Sequence, residues 1–198
     1  MSDQEKVDQT RRNLVVATSV VGGAAGVVAA VPFVASMLPS AKARAAGAPV
    51  EIDLSGVAPG ELAVIEWRGK PVWVIHRTKE MIESLKTVAS RLTDPESKSS
   101  TQPAYAKNEM RAENPEWMVM EGVCTHLGCS PQLKPADDKA EMGADWAGGF
   151  YCPCHGSKFD LAGRVFRGSP APTNLVVPPY TLVDGKLIVG EDKETKGA

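Results

Sequence analysis

Two short segments near the C-terminal end of the chain hold all four cysteines and two of the three histidines. The first, C-T-H-L-G-C, runs from Cys124 to Cys129, and the second, C-P-C-H-G-S, runs from Cys152 to Ser157. Each segment supplies one Cys and one His at close spacing, together with one further Cys. Thiolate and imidazole donors bind zinc, copper or iron–sulfur centres, so the two segments predict loops that meet at a metal centre.

Three arrangements of these donors can be drawn from the residues. A zinc site could use two Cys and two His, but common zinc spacings group like ligands together, whereas both segments mix them. Two plain disulfides would leave the histidine of each segment unexplained. In a Rieske [2Fe–2S] cluster two His replace two Cys on one iron, so that Cys124 and Cys152 would bind one iron and His126 and His155 the other.

The two segments resemble those of the Rieske iron–sulfur subunits of ubiquinol–cytochrome c reductase, the cytochrome bc complex. The extra Cys in each segment is part of the likeness, because Rieske ferredoxins and ring-hydroxylating dioxygenases generally lack that pair. Residues 67–71 and 74–78 are similar to early strands of the family's head domain, and residues 168–172 are similar to its proline loop. The resemblance covers nearly the whole chain, from the N-terminus to Gly190.

This resemblance implies a cofactor and a cross-link. The cofactor is one Rieske [2Fe–2S] cluster, and the cross-link is a disulfide between Cys129 and Cys154 that holds the two segments together. Among the cluster ligands, the resemblance implies that His155 accepts a hydrogen bond from quinol and that His126 is the second exposed ligand. Electron uptake and proton uptake would be linked at these histidines, which are therefore the expected catalytic residues.

Further residues are implied to surround the cluster. Leu127 would pack between the cluster and a quinone pocket, and Gly128 and Gly156 would form tight turns whose amides face the cluster sulfurs. Ser157 matches a family serine that donates a hydrogen bond to a bridging sulfide. Many family members have a Tyr two residues later, where this chain has Phe159, so we expect a lower reduction potential than in those members.

The expected function is that of an electron-transfer subunit. It would take one electron from ubiquinol bound in a cytochrome b subunit and pass it, after head-domain movement, to a c-type cytochrome in a dimeric, proton-translocating complex. An alternative is the Rieske small subunit of an arsenite oxidase, and a third class is a zinc-stabilised binding module without a redox role. The net charge of −2 gives no indication of a nucleic-acid partner.

The N-terminal part contains a long apolar run. Leu14 to Leu38 is 25 residues without a charge, which as a helix covers about 37 Å and exceeds a bilayer core of about 30 Å. The core of a signal peptide is usually about 7–15 residues, so we predict a retained single-pass helix over 14–38. A cleaved leader is the alternative, because 41–43 and 43–45 read A-K-A and A-R-A.

Arg11 and Arg12 precede this run and match a twin-arginine export signal. Such a signal suits a domain that must cross the membrane folded and loaded with its cluster. A simpler interpretation is that Lys6 and both arginines keep a cytoplasmic N-terminus, residues 1–13, on the inner side. The predicted disulfide needs an oxidising compartment, so we place the head in the periplasm, anchored to the bacterial inner membrane.

Residues 39–50 are rich in Ala and predict a hinge linker. From residue 51 to 198 we predict a mainly β head, an antiparallel β-sandwich with an inserted cluster-binding subdomain at about 122–172. Short apolar runs predict strands at 51–54, 62–66, 72–75, 117–121, 150–151, 175–177, 181–183 and 187–189. A helical stripe spans 81–89, residues 94–115 are expected to form a surface loop, and Asp184-Gly185 predicts a hairpin turn.

Overall fold

The computed structural model describes residues 8–191 of the chain. Lys6 and the predicted end of the head, residues 192–198, lie outside the described residues. The chain divides into one unit up to Ala45 and a second unit from Ala46 onward. The helices are α1 (Gln9–Ser36), α2 (Ala41–Ala46), α3 (Lys79–Thr87) and α4 (Lys139–Met142). The strands are β1 (Val50–Asp53), β2 (Leu62–Trp67), β3 (Lys70–His76), β4 (Trp117–Glu121), β5 (Gln132–Lys134), β6 (Gly149–Cys152), β7 (Ser157–Phe159), β8 (Tyr180–Val183) and β9 (Lys186–Val189).

Helix α1 contains most of the predicted membrane span. It begins before the apolar run because the Asp8 side chain caps it, accepting hydrogen bonds from the amides of Thr10 (3.0 Å) and Arg11 (3.3 Å). It ends at Ser36, two residues before the predicted end. By length and composition α1 could cross a bilayer, and no residue of this helix is buried.

The predicted linker is not uniformly irregular. It contains α2, a six-residue helix rich in alanine, and the Ser40 hydroxyl accepts a hydrogen bond from the Ala43 amide at its start (3.1 Å). Strand β1 begins at Val50, one residue before the predicted start of the head. Alanine has the highest helix propensity of the natural residues, which explains why this connector forms a helical turn.

The second unit contains three antiparallel sheets of three strands each, in the orders β1–β9–β8, β2–β3–β4 and β5–β6–β7. This confirms the prediction of a mainly β, antiparallel head. The β5–β6–β7 sheet lies within the predicted cluster-binding subdomain. Its outer strands β5 and β7, three residues each, and helix α4 were not predicted, because segments this short carry too few residues to show a period.

The β2–β3–β4 sheet lies between two hydrophobic cores. Val72 and Val74 of β3 pack into a core with the β1–β9–β8 sheet. Trp73 and Ile75 point the other way and pack into a core with residues of the β5–β6–β7 sheet. All four are buried, so the continuous apolar run in β3 reflects a strand that is covered on both faces.

Two predicted local features are present. Helix α3 spans Lys79–Thr87, with the Thr78 hydroxyl accepting a hydrogen bond from the Met81 amide (3.3 Å) at its start. The β8–β9 hairpin turns at Asp184 and Gly185, whose φ angles of 49° and 77° are those of a type I′ turn.

The predicted strand at Leu175–Val177 is wrong. Leu175 donates its amide hydrogen bond to Gly163 O (2.8 Å), and Val177 donates to Thr101 O (3.1 Å). Because successive backbone groups bond to separate segments, the stretch does not join one neighbouring strand. Its apolar side chains are nevertheless buried, Leu175 in one core and Val177 in the other.

The predicted surface loop at 94–115 is also partly wrong, because it carries side chains into the interior. Ser97, Ala106 and Arg111 are each 0% exposed. The Arg111 guanidinium donates hydrogen bonds to Leu175 O (2.6 Å) and to the Gln102 side chain (3.1 Å). These bonds compensate the guanidinium for the water that it loses on burial.

Three arginines are buried around residues 160–164, the segment that follows β7. Arg77, Arg111 and Arg164 are 2%, 0% and 1% exposed, and each donates hydrogen bonds to backbone carbonyls. Asp160, itself 1% exposed, pairs with Arg164 at 2.7 Å. Burial lowers the pKa of Arg77 and of Arg111 to about 10, and the charge of Asp160 opposes this shift. Arg77 and Arg111 therefore stay charged at neutral pH.

Candidate metal centre

The two cysteine–histidine segments fold into matching turns. In the first, the Gly128 amide donates to Cys124 O (3.0 Å), and in the second the Gly156 amide donates to Cys152 O (2.9 Å). Both glycines have positive φ angles, 84° and 80°, which a side chain would strain. Each glycine thus closes a turn that brings a Cys and the following His onto one loop.

A disulfide joins the two loops. Cys129 and Cys154 are bonded, with their Cα atoms 6.7 Å apart. The other two cysteines, Cys124 and Cys152, are free and buried, at 3% and 2% exposure. The thiol of Cys152 lies within 4.8 Å of both disulfide sulfurs, but those sulfurs are bonded to each other and are not available as metal ligands.

The two free thiols face each other. Burial raises the pKa of the Cys152 thiol, and its hydrogen bond with Cys124 acts in the same direction. A thiol in this setting stays protonated unless a cation takes the place of its proton. Metal binding would supply that cation, since coordinated thiols are deprotonated.

The two histidines also meet. The rings of His126 and His155 are 4.8 Å apart, centroid to centroid, and nearly perpendicular at 88°. His155 is exposed, whereas the Nδ1 atom of His126 is buried and has no hydrogen-bond partner among residues 8–191. A buried ring nitrogen without a partner is unfavourable unless something binds it.

Ser157 connects its ligand loop to the proline loop, and Thr125 connects the other ligand loop to the residue that follows the proline loop. Ser157 Oγ accepts a hydrogen bond from the Ala171 amide (3.0 Å), and Thr125 Oγ1 donates to Thr173 O (2.7 Å). Both hydrogen bonds fix the ligand loops to the segment around residues 171–173. Ser157 was predicted as a site residue, whereas Thr125 was missed, since a threonine between two ligands carries no signal of a contact 48 residues away.

The structure brings the predicted site residues together. Two buried thiols lie at the inner side of the loops and two histidines lie further out, with Leu127 between them in sequence. Leu127 is 71% exposed. We call the surface formed by His126, Leu127 and His155 the tip. The third histidine, His76, lies in the β2–β3–β4 sheet, where its ring stacks on that of Trp117 with centroids 4.2 Å apart.

This donor set fits a [2Fe–2S] cluster of the Rieske type. It offers two facing thiols, two neighbouring imidazoles and a buried, unpartnered Nδ1 that iron could bind. The remaining pair of cysteines is used in the disulfide, so neither the two-disulfide arrangement nor a site with more thiolates agrees with the structure.

Comparison with known proteins defines the class to which this fold and site belong. Residues 104–181 match the family model of the Rieske [2Fe–2S] domain. Residues 1–40 match the family model of the TAT signal of the ubiquinol–cytochrome c reductase Fe–S subunit. The head is therefore a Rieske iron–sulfur domain, and its cofactor is a Rieske [2Fe–2S] cluster.

Full-length relatives identify the family. The chain is 55% identical, over 98% of its length and 94% of the relative, to the ubiquinol–cytochrome c reductase iron–sulfur subunit of Allochromatium vinosum. It is 43% identical, over 95% of its length and 96% of the relative, to the subunit of Blastochloris viridis. The chain belongs to the family of ubiquinol–cytochrome c reductase iron–sulfur subunits.

A solved structure agrees with this assignment. A chain of a hyperthermophilic respiratory Complex III matches with a TM-score of 0.50 and 28% identity, covering 87% of this chain and 98% of that chain. These matches give no support to the alternative of an arsenite oxidase subunit or to that of a zinc-stabilised module.

Phe159 provides a test of how the site sets its potential. It is 0% exposed and packs in the same core as Cys124 and Cys152. The Phe159→Tyr variant is expected to raise the midpoint potential, because an added hydroxyl can donate a hydrogen bond that favours the reduced, more negative cluster. If the added hydrogen bond stabilises the reduced cluster over the oxidised cluster by about 1 kcal/mol, the midpoint potential rises by about 40 mV for one electron.

Protein-film voltammetry of the full chain measures this shift. The matched control is Phe166→Tyr, which adds the same hydroxyl in a separate hydrophobic core and should leave the midpoint unchanged. An unchanged or lowered midpoint in the Phe159→Tyr variant would contradict the prediction.

Proposed function

We propose that Cys124 and Cys152 bind one iron of the cluster and that His126 and His155 bind the other. The assignment is supported by the facing thiols, by the neighbouring imidazoles and by the unpartnered Nδ1 of His126. The Gly128 and Gly156 turns hold each Cys and His on its loop. Ser157 has its oxygen engaged by the Ala171 amide, which leaves its hydroxyl proton for a cluster sulfide.

In this proposal the chain accepts one electron from ubiquinol at a cytochrome b subunit and passes it to a c-type cytochrome. The observation that carries it is the contrast in exposure across the site. The thiols are at most 3% exposed, whereas Leu127 is 71% exposed and His155 is also exposed. An exposed leucine beside an exposed imidazole suits the docking of a partly apolar ligand that has a hydroxyl group.

The residues of the tip have separate roles in this reaction. The imidazole of His155 accepts a hydrogen bond from the quinol hydroxyl and holds the proton that quinol loses. His126 presents its Nε2 as the second exposed ring nitrogen, because its Nδ1 faces inward. Leu127 excludes water from the contact, and the buried Cys124 and Cys152 would hold their iron out of contact with solvent. The bound cluster supplies the acceptor for a single electron.

The same proposal covers the rest of the chain. Residues 1–13 would be the cytoplasmic N-terminus with its twin-arginine signal, 14–38 the span of the lipid bilayer and 39–50 a hinge. Residues 51–198 would form the periplasmic head, with 122–172 as the cluster-binding part. The subunit would work in a dimeric, proton-translocating complex. The apolar helix α1, the match to the TAT signal and the helical turn α2 within the hinge support this layout.

An electron paramagnetic resonance experiment tests the proposal. Native membranes containing the full chain are reduced with ascorbate, and the spectrum is recorded with and without an inhibitor of the quinol-oxidation site. A rhombic Rieske signal that shifts with the inhibitor is expected, because the inhibitor and His155 would share one pocket. A Rieske signal that ignores the inhibitor would contradict quinol oxidation at the tip.

Leu127 gives a second, more local test. The Leu127→Ala variant is expected to lower quinol oxidation about ten-fold or more, since burial of a leucine side chain contributes about 1.5–3 kcal/mol. Its free energy of unfolding should hardly change, because the side chain is exposed in the free head. Quinol-dependent cytochrome reduction and chemical denaturation measure the two effects.

The matched control is Val183→Ala, which shortens an exposed aliphatic side chain (44% exposed) in the β8–β9 hairpin. That variant should retain full turnover. A Leu127→Ala variant with normal turnover, or one that unfolds as readily as a core variant, would argue against a docking role for this side chain.

A further inference from the structure

An open pocket of about 540 Å³ lies beside the second ligand loop. Its wall includes Gly156, the residue after the proposed ligand His155, and it also includes Gly168 and Ser169 of the proline loop. The pocket therefore adjoins the tip. Gly156 therefore links the pocket directly to the ligand loop that carries His155.

The pocket is strongly basic. Among the described residues, its lining contains Arg91, Lys158 and Arg167 and no Asp or Glu. Among the ion pairs of residues 8–191, none engages any of these three side chains. The whole chain carries a net charge of −2, so this concentration of positive charge is local and is not a reflection of composition.

The three cations are already held in place. Within residues 8–191, each donates one hydrogen bond to a backbone carbonyl, and its other N–H groups have no partner there. The bonds run from Arg91 Nη1 to Asp145 O (2.8 Å), from Lys158 Nζ to Met142 O (2.9 Å) and from Arg167 Nε to Leu92 O (3.0 Å). Side chains that are ordered before binding lose less conformational entropy when a ligand arrives.

The floor of the pocket is apolar. Arg91 lies over the Phe166 ring at 5.4 Å, and the Lys158 ammonium is 6.0 Å from the Trp146 ring centroid. Both rings belong to a small hydrophobic core and are buried. A charge pair formed against such a floor is screened less by water than one on an open surface, so it is stronger.

We propose that this pocket binds a carboxylate side chain on the surface of the c-type cytochrome when the head docks to release its electron. The inference rests on the proposed function and adds to it the chemistry of the second docking contact. Carboxylates are rare on membrane-embedded surfaces, so the water-exposed electron acceptor fits the pocket better than cytochrome b does. Leu127 would make the apolar contact with the quinol, and the basic pocket would make the charged contact with the c-type cytochrome.

The test uses the complete complex with the Arg91→Gln/Arg167→Gln double variant. The rate at which the c-type cytochrome oxidises the cluster is followed after a rapid start of quinol oxidation. At low ionic strength we expect an approximately ten-fold slower rate, and the difference should shrink as salt is added. The Arg91→Lys/Arg167→Lys variant keeps both charges and should retain most of the rate.

The control is Arg68→Gln/Lys98→Gln, which removes the same charge from exposed positions outside the pocket. It should behave as the unaltered complex does. An equal loss of rate in this control, or a loss that does not depend on salt, would overturn the proposal.

The experiment also distinguishes failure of the pocket proposal from failure of the proposed function. If the rate loss occurs only in vesicles that contain anionic phospholipid, the pocket binds a lipid headgroup and the proposal is wrong. If the unaltered complex shows no inhibitor-sensitive Rieske signal, the proposed function itself fails. An inhibitor-sensitive signal combined with normal rates in the double variant overturns only the role of the pocket.

Discussion

The Cys129→Ser/Cys154→Ser double variant is expected to lose most of its cluster and to unfold more readily by about 3.5 kcal/mol, the chain-entropy estimate for a 25-residue loop. The disulfide is the covalent link between two loops that each carry one buried thiol and one histidine. Without the link the loops can separate, so that water reaches the free thiols. We therefore expect the loss of cluster to exceed what the stability change alone would cause.

Iron and acid-labile sulfide per chain, together with the Rieske signal, measure the cluster content. Chemical denaturation of the full chain in detergent measures the stability. The double variant is preferable to either single one, because a single replacement leaves a reactive thiol beside Cys152. Ser130→Ala, next to the disulfide, is the matched control and should keep its cluster. Full cluster content with unchanged stability in the double variant would refute the clamping role.

The Asp160→Asn variant is expected to destabilise the head by about 3–5 kcal/mol, the usual effect of removing one partner from a buried ion pair. Oδ1 of Asp160 accepts hydrogen bonds from the amides of Ala162 (2.9 Å) and Arg164 (2.8 Å), and Oδ2 pairs with the Arg164 guanidinium at 2.7 Å. Its charge also acts on Arg77 and Arg111. A neutral amide would leave three buried cations without that compensation.

Chemical denaturation again gives the measurement. The control is Glu141→Gln, which removes a half-exposed carboxylate from its pair with Lys134 and should change the free energy of unfolding by less than about 1 kcal/mol. If Asp160→Asn were as mild as this control, the buried arginines would have to be stabilised by their backbone carbonyls alone.

The sequence predicts the local turns of the two ligand loops because the relevant information is local. Each loop carries its Cys, His and Gly within six residues, and the Gly128 and Gly156 turns follow from that spacing. The hairpin at Asp184-Gly185 and the helical stripe of α3 are local in the same sense. The apolar run after Arg12 predicts a long helix, although the cap at Asp8 moves its start.

Features that depend on distant contacts could not be predicted. The chain around Leu175 has the apolar character of a strand, but its backbone partners come from separate segments. Arginine is usually found at the surface. The burial of Arg77 and of Arg164 depends on carbonyl groups that are 84 and 79 residues away, respectively. Periodicity cannot show such contacts, because it records which side of an element is apolar and not what lies opposite.

The position of strand β3 between two hydrophobic cores affects how cooperatively the head unfolds. Its Val72 and Val74 side chains belong to one hydrophobic core, and its Trp73 and Ile75 side chains belong to the other. Neither core can lose its packing without exposing a face of the same strand, so we expect the two cores to unfold together. We therefore expect loss of the cluster to lower the stability of the far sheet as well.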